Sequence, residues 1–358
     1  MDRPHAAAPE LEVIPDVAAA WAAQGHTARI SAMRRAAQAL KERFASEPPV
    51  VSVRTFERYT IAYPVRFGFW GTAMVPIPFA IIRNRSVLVQ FRQRGDLRTL
   101  IFNPSDETAV PRVPFVVRQR EQKGVFGRMM FALHGPLEPK LEEAGIAPEA
   151  VDYVACDHFH FQDLSRLVNA AGGEAARFPR AKLLAQRREW DQWDDLHPIH
   201  QAFAVPDAKR DVDRSCVALL DADLRLGDGV MLVRTPGHTA GNQTLFFKTD
   251  TGVWGISENG ICADNWSPRA SRIPGVARRT EQHGLEVLPN MNTPESTADQ
   301  YLSMVLERGV ADRARGSDGF VQMFASFEVT PSWLTPGLHA HAHREVTFGE
   351  LVRSTPRR

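Results

Sequence analysis

An apolar strand that ends near Ala155 and runs directly into the stretch DHFHFQDL, from Asp157 to Leu164, is the feature that most constrains this chain. At a strand end, residues i and i+2 project to the same side, so His158 and His160 can reach one metal ion while the neighbouring phenylalanines pack inward. Layered folds place ligands and catalysts at such strand ends because the rigid sheet fixes the side chains there. Alternating histidines also occur on exposed strands, so this stretch alone leaves a metal site and a polar strand end both open.

Strands and helices alternate along the rest of the chain. Between Val50 and Ile101, short runs of β-branched and aromatic residues divided by Gly, Pro and Asn predict a meander of strands. From Leu137 a short helix, a glycine stop and an apolar strand follow in order, and helical spacing returns from Ser296 to Ala314. This interleaving, with no internal repeat, predicts a layered α/β fold rather than an all-helical or all-β one.

The N-terminal segment is predicted to be helical from Pro15 to Phe44, where apolar residues recur at helical intervals and the charged residues take other faces. Glu47-Pro48-Pro49 ends this segment because proline cannot continue a helix. The apolar stripe needs a partner, which we expect to be its own domain or a second subunit, so a homodimer is one predicted arrangement. We predict a helical extension at residues 1–48 and one domain at 49–358.

Composition argues against several classes of function. With 44% hydrophobic and 24% charged residues and a formal net charge of +1, the chain is typical of globular proteins and has no charge excess that would attract nucleic acid. Its three cysteines form no CxxC pair, which argues against disulfides and thiolate zinc and favours a reducing compartment. The N-terminus is unlike a secretory signal, and no apolar stretch reaches the roughly 18 residues of a membrane span. We therefore expect a cytoplasmic protein with a small-molecule substrate and no nucleic-acid or membrane partner.

A second histidine motif lies further along the chain. His238 stands in the turn TPGHTAG, from Thr235 to Gly241, between the strand-like segments VMLVR and QTLFF. A turn so rich in proline and glycine can be purely structural. It nevertheless delivers a histidine to a fixed position at a strand end.

The two histidine blocks together resemble the metallo-β-lactamase-fold superfamily of metallohydrolases. LEEAGIAPEAVDYVACDHFHFQD is similar to the segment that introduces that family's H-x-H-x-D-H motif, and RTPGHTAGNQTLFF is similar to the block that carries its third metal-binding histidine. Their order and separation also match, and the likeness covers about residues 50 to 345. The resemblance implies an α/β fold, a four-layer αββα sandwich, with the N-terminal helical extension outside it.

Carried over residue by residue, the resemblance implies a first metal ion held by His158, His160 and His238, three nitrogens with an open position as in catalytic zinc sites. The chain departs from the family at the next two positions, where it has H-x-H-x-Q-D. Gln162 stands where the family has an aspartate, and Asp163 stands where it has the second-site histidine. A neutral carboxamide is a poorer ligand and cannot take a proton, so the second metal and the positioning of the attacking water are both open.

Two carboxylates are candidates to replace the missing groups. Asp163 offers a competent oxygen ligand, and Glu258, which follows the third histidine on the next strand, stands about where the family has a bridging aspartate. Each is predicted as a metal ligand and as the catalytic group that positions water and takes its proton. The family's last histidine is predicted at His339, and the alternatives are His341 or loss of this ligand to Met291.

The predicted function is metal-dependent hydrolysis of a small molecule by metal-activated water, with an ester, lactone, amide or phosphoester as the bond. The predicted cofactor is one or two zinc ions, and carboxylate-rich ligation leaves iron or manganese as alternatives. Two other hypotheses stay open: a non-haem diiron redox protein, and a metal-poor member of the fold that binds without catalysis. No GxGxxG motif for a flavin phosphate is visible, which counts against the redox hypothesis.

Overall fold

Two β-sheets lie face to face at the centre of the molecule. The computed structural model describes residues 10–122, 131–168, 176–291, 293–333, 335–339 and 345–354. The strands in these ranges are β1 Glu12–Ile14, β2 Ser52–Pro64, β3 Phe79–Gln93, β4 Asp96–Phe102, β5 Ala132–Leu133, β6 Tyr153–Ala155, β7 Lys182–Gln186, β8 Val217–Leu220, β9 Asp223–Gly227, β10 Val230–Arg234, β11 Gln243–Thr249, β12 Gly252–Ile256, β13 Met323–Phe324 and β14 Phe327–Val329. The meander predicted between residues 50 and 101 is present as β2, β3 and β4, which pair as antiparallel neighbours.

The strands divide into a six-stranded sheet, in the order β1-β9-β10-β11-β12-β13, and an eight-stranded sheet, in the order β5-β2-β3-β4-β6-β7-β8 with β14 paired to β3. Side chains alternate between the two faces of each strand. In β10, Val230 and Leu232 belong to the core between the sheets, whereas Met231 and Val233 belong to the core on the outer face. In β3 of the eight-stranded sheet, Val87 and Val89 likewise belong to the core between the sheets and Leu88 to the core on the outer face. Each sheet is therefore apolar on both faces and needs a helical cover.

Helices supply that cover. They are α1 Ala18–Ala22, α2 His26–Ser46, α3 Val65–Gly68, α4 Pro114–Gln122, α5 Leu137–Glu143, α6 Arg187–Gln192, α7 Pro198–Gln201, α8 Ala263–Trp266, α9 Val276–Gln282 and α10 Thr297–Val310, with 3₁₀ turns at Val110–Arg112, Pro148–Ala150, Leu164–Arg166, Arg214–Cys216 and Pro268–Ala270. Helices α2 and α10 pack on the six-stranded sheet, and α4, α5 and α6 pack on the eight-stranded sheet. The layers follow the predicted order αββα. Among the described helices, none combines the length and the apolar character that crossing a membrane requires.

The N-terminal segment is built into this sandwich. Strand β1 pairs with β9 at the edge of the six-stranded sheet, and α2 buries Met33, Leu40 and Phe44 in the outer core of the same chain. The single helix predicted from Pro15 is instead two helices, because Gly25 takes a φ of +83° and interrupts the helical backbone. The apolar stripe thus has a partner within its own chain, while the division at residue 48 and the homodimer stay predictions.

Strand direction concentrates polar residues at one edge of the sandwich. Strands β4, β6 and β7 run parallel, so their carboxyl ends meet at the same edge. Asn103 follows β4, Asp157 follows β6, and Glu189 follows β7. The turn between β10 and β11, which carries His238, reaches the same edge, since the backbone nitrogen of Gln243 donates to the carbonyl of Asp157.

Candidate metal centre

Three histidine side chains meet at this edge. His158, His160 and His238 are 2%, 2% and 1% exposed, and each offers a ring nitrogen within 4.8 Å of the others. Across the described ranges, this is the one group of three or more histidine, cysteine or acidic side chains that is close enough to hold a metal ion. The structure therefore brings together the three histidines predicted from the two motifs, and their role as ligands stays a prediction.

Two glycines shape the turn that carries His238. Gly237 has a φ of +147°, and a Cβ there would lie 2.2 Å from the Cα of Gln300 in α10. A Cβ at Gly241 would lie 2.1 Å from the backbone nitrogen of Glu189 in α6. Both positions exclude any side chain, so the glycines of TPGHTAG allow the close packing that fixes His238 between two helices.

His158 is oriented by the residue before it. Its Nδ1 lies 2.7 Å from Oδ1 of Asp157, and the other carboxylate oxygen of Asp157 accepts from Asn103 Nδ2 at 3.1 Å and from the Ser326 hydroxyl. A carboxylate only accepts hydrogen bonds, so Nδ1 of His158 carries the proton and Nε2 keeps its lone pair. This is the carboxylate–histidine arrangement that orients metal ligands.

The distance between the other two histidines fits a single ion. Two nitrogens bound to one tetrahedral zinc ion lie about 3.3 Å apart, and His160 Nδ1 lies 3.3 Å from His238 Nε2. Burial lowers the pKa of both rings well below the ordinary value, and the neighbouring histidines lower it further. Both rings are therefore held neutral, the form in which an imidazole nitrogen binds a metal ion.

We expect the metal-free protein to lose stability as the pH falls below about 6.5. Because burial lowers the folded-state pKa of His160 and His238, the unfolded chain binds more protons in this range, and the stability present above the unfolded pKa is lost on acidification. Each histidine contributes about 1.4 kcal/mol per pH unit. Urea titrations of chelator-treated protein between about pH 7.5 and about pH 5.5 measure this slope.

Two His→Gln substitutions, one buried and one exposed, test the origin of this dependence of the unfolding free energy on pH. The slope should be shallower in His160→Gln and unchanged in His26→Gln, because the side chain of His26 is exposed. Equal slopes in wild type and His160→Gln would contradict the expectation.

Glu189 joins the two loops that carry the histidines. Its Oε1 accepts from the backbone nitrogen of Phe159 at 2.8 Å, and its Oε2 accepts from the Thr239 hydroxyl at 2.6 Å. The carboxyl group is buried, and burial raises its pKa above the usual value. The positions of the HFH and GHT segments are thus coupled through one side chain that is not itself in the histidine group.

Gln162 and Asp163, the two residues that differ from the family motif, form hydrogen bonds with groups other than the three histidines. Asp163 accepts from Arg112 Nη2 at 2.8 Å and from the backbone nitrogen of Ser165 at 3.2 Å, and so caps the 3₁₀ turn that follows. Gln162 donates from Nε2 to the Ser105 hydroxyl at 2.8 Å. The structure does not bring Asp163 into the histidine group, and its predicted roles as ligand and catalyst stay predictions without a supporting contact.

Glu258 lies beside the histidines in the same small pocket. Its Oε2 accepts from the backbone nitrogen of Phe327 at 2.9 Å. Burial raises the pKa of this carboxyl well above its usual range, and the nearby charge of Asp157 raises it further. Glu258 lies outside the tight group of three, and its predicted roles as a metal ligand and as the catalytic carboxyl stay predictions.

The predicted last ligand lies in a different environment. His339 stacks on Phe320 with ring centroids 3.7 Å apart, and its backbone nitrogen donates to Asp264 at 3.2 Å. His341, the alternative, lies outside the described residues. Met291 donates its backbone nitrogen to the carbonyl of Phe67 at 3.0 Å. The structure does not bring His339 to the histidine group.

Two residues that the sequence did not single out complete the surroundings. His200 in α7 is buried, and its Nδ1 lies 2.8 Å from His160 Nε2. Its Nε2 lies 2.6 Å from Oε1 of Glu295, just before α10. Both residues stand in segments without a recognisable motif, and the only signal was a high local content of His and Asp near residue 200.

Aromatic and aliphatic side chains wall the pocket above the histidines. Phe161, next to His160, has a φ of +61°, a left-handed conformation that is uncommon for a bulky residue and often occurs at functional sites. The cavity measures about 20 Å³, room for a water molecule or two. Its apolar walls are formed by Ile61, Ile82, Phe115, Phe161, Phe203 and Phe327.

The αββα sandwich with a buried histidine group at one edge has the metallo-β-lactamase fold, which confirms the fold predicted from the two motifs. Among solved structures, a probable metal-dependent hydrolase from Staphylococcus aureus aligns with a TM-score of 0.50 and 13% identity, over 72% of this chain and 84% of that one. At this identity the likeness shows the shared fold.

Sequence relatives match a shorter segment, and no family model matches the chain. A stretch of 110 residues is 27% identical to an N-acyl homoserine lactonase from Bacillus sp. and covers 31% of this chain. The Bacillus cereus protein of the same name is 26% identical over 110 residues. The match spans 38% of the length of each of these curated relatives.

Proposed function

We propose that this protein is a metal-dependent hydrolase of small carbonyl esters, with lactones as the preferred class. The observation that carries the proposal is the group of three buried histidines whose ring nitrogens lie within 4.8 Å of one another. Burial lowers the pKa of two of them, His160 and His238, which favours the neutral form that binds a metal ion. The segmental similarity to N-acyl homoserine lactonases supports the choice of a lactone ring as substrate.

The chain's own residues suit this chemistry. His158, His160 and His238 would hold one divalent ion, and an all-imidazole donor set with an open position fits zinc. When bound, such an ion supplies Lewis acidity that acidifies water and polarises the carbonyl oxygen of the scissile bond. Asp157 keeps His158 in the tautomer with a free Nε2, as its hydrogen bond to Nδ1 requires.

Glu258 is the proposed proton-transfer group. Burial raises its pKa well above the usual range, and a higher pKa makes the carboxylate a stronger base toward the proton of water. Glu258 would take the proton of the attacking water and return it to the ring oxygen as the carbon–oxygen bond breaks, giving a hydroxy acid. The hydrogen bond from Phe327 holds Oε2, which leaves Oε1 for this exchange.

The pocket walls favour a substrate that is apolar next to the scissile carbonyl. Phe115 and Phe203, with ring centroids 5.1 Å apart, are the half-buried members of the wall. Since the cavity of about 20 Å³ is smaller than a lactone, we propose that these two rings move outward when substrate enters.

A substrate panel tests the proposal. Zinc-loaded wild type should hydrolyse N-acyl homoserine lactones and simpler lactones faster than an open-chain ester, an amide or a phosphoester, measured by acid release. A chelator should remove the activity and zinc should restore it. The matched variants are His238→Ala, expected to lose most of the activity, and His26→Ala, expected to match wild type. Zinc-loaded protein that hydrolyses none of these compounds would overturn the proposal.

A further inference from the structure

A chain of hydrogen bonds leads away from the histidine group on the side opposite the ligand nitrogens. His160 Nε2 lies 2.8 Å from His200 Nδ1, and His200 Nε2 lies 2.6 Å from Glu295 Oε1. Gln192 Nε2 donates to the same oxygen of Glu295 at 3.2 Å. The members come from the loop after β6, from α6, from α7 and from the residues before α10, so folding brings together four separate segments.

The carboxylate of Glu295 determines which nitrogen donates and which accepts at each hydrogen bond of this series. A carboxylate accepts and cannot donate, so Nε2 of His200 carries the proton toward Glu295. A neutral imidazole has one donor and one acceptor nitrogen, which makes Nδ1 of His200 an acceptor. Nε2 of His160 then carries a proton, and the lone pair of His160 lies on Nδ1, the atom that faces His238 at 3.3 Å.

We propose that His200, oriented by Glu295, is a positioning residue that fixes the tautomer and ring orientation of His160 so that Nδ1 is its ligand atom. The inference rests on the proposed metal site. Outer partners of ligating histidines orient the ring and increase its basicity, and their loss typically weakens metal binding about 10- to 100-fold.

The surroundings of His200 fit a positioning role. The side chain is 1% exposed, and its ring centroid lies 5.0 Å from that of His160. Trp193 and Phe203 flank the His160 ring at 5.8 Å and 5.2 Å. Between these aromatic side chains, a nitrogen of His160 without a partner would have no access to water, so His200 is the group that satisfies Nε2.

Three substitutions separate positioning from simple packing. His200→Phe keeps a ring but removes the acceptor, and we expect zinc to bind about 10- to 100-fold more weakly. His200→Asn places a carboxamide oxygen at the δ position where Nδ1 stood, and we expect it to recover most of the affinity. Glu295→Gln can donate to His200 and reverse its tautomer, so its affinity should fall between those of wild type and His200→Phe. His26→Phe is the matched control at an exposed histidine.

The measurements are zinc affinity by chelator competition and the visible absorption spectrum of the cobalt-substituted protein. We expect the cobalt spectrum to change in His200→Phe and to resemble wild type in His200→Asn. Equal zinc affinity in wild type and His200→Phe, or equal losses in the Phe and Asn variants, would overturn the inference while leaving the metal site intact. Wild type that binds no zinc would instead overturn the proposed function and this inference with it. If His200→Phe fails to fold, the zinc affinity of Glu295→Gln is the deciding measurement. A zinc affinity of Glu295→Gln equal to that of wild type would reject the positioning role of His200 and Glu295.

Discussion

His238→Ala is expected to leave the protein without bound zinc and to lower hydrolysis about 10³-fold. Removing one of three nitrogens leaves two ligands, too few for the tetrahedral site that zinc prefers. The loss of a Lewis acid costs several kcal/mol of transition-state stabilisation, which corresponds to this change in rate. His238 is the most suitable of the three histidines for this test. The hydrogen bond from its backbone nitrogen to Asn259 Oδ1 at 3.0 Å does not involve the side chain, so the substitution retains it.

Elemental analysis of protein purified without added metal gives the answer directly. Wild type and His26→Ala should retain zinc, and His238→Ala should contain none. His158→Ala should behave in the same way, with an added loss of stability because Asp157 loses its partner at 2.7 Å. Unchanged zinc content in both site variants would show that the metal lies elsewhere in the chain. Iron in place of zinc would favour the redox hypothesis.

Glu307→Ala is expected to lower the free energy of unfolding by about 3–5 kcal/mol. Glu307 in α10 is fully buried and accepts from Thr244 Oγ1 at 2.8 Å, Asn259 Nδ2 at 2.8 Å and Trp266 Nε1 at 2.6 Å. Alanine removes all three hydrogen bonds and leaves the buried Trp266 Nε1 without its acceptor, at a cost of about 1–3 kcal/mol. Asn259 Nδ2 still donates to the carbonyl of Thr235 at 3.0 Å and the Thr244 hydroxyl still lies 2.7 Å from Thr235 Oγ1, so each of these two losses costs about 0.5–1.5 kcal/mol. The cost of burying the carboxyl, which raises its pKa, offsets part of this loss.

Urea unfolding of metal-free protein measures this effect. Glu281→Ala is the matched control, since Glu281 is exposed on α9 and should change the free energy of unfolding by less than about 0.5 kcal/mol. Because Asn259 links Glu307 to the backbone of His238, zinc affinity should also fall in Glu307→Ala. A free energy of unfolding within 0.5 kcal/mol of wild type would contradict this account.

The layered α/β class could be predicted from the alternation of strand-like and helical segments, whereas the αββα order and the grouping of the three histidines came from the resemblance that the two motifs carry. The strand–histidine junction after β6 is a local pattern, and the spacing of HFH places two side chains on one side of the backbone. The glycine-rich composition of the second motif, TPGHTAG, is explained by the structure. Gly237 lies against Gln300 and Gly241 against Glu189, too close for a side chain at either position.

The residues around the three histidines could not be predicted from the sequence in the same way. His200 meets His160 only through the tertiary arrangement of α7, and no spacing along the chain records this contact. Asp163 was chosen by its place in the motif, yet an aspartate two residues before a serine is also a good cap for a 3₁₀ turn, and this local use is the one present. The break at Gly25 was missed because helical periodicity continues on both sides of it.

The contact of Glu189 with both histidine-bearing loops has a consequence for the order of these loops when no metal ion is bound. Phe159 and Thr239 are held at their distances by a carboxyl group of the chain itself, so neither contact is made by a metal ion. We therefore expect these contacts to form during folding, so that ordering the two loops adds little to the cost of binding an ion. We expect the protein to lose and rebind an ion without refolding, so that the lifetime of the folded chain does not depend on the supply of metal.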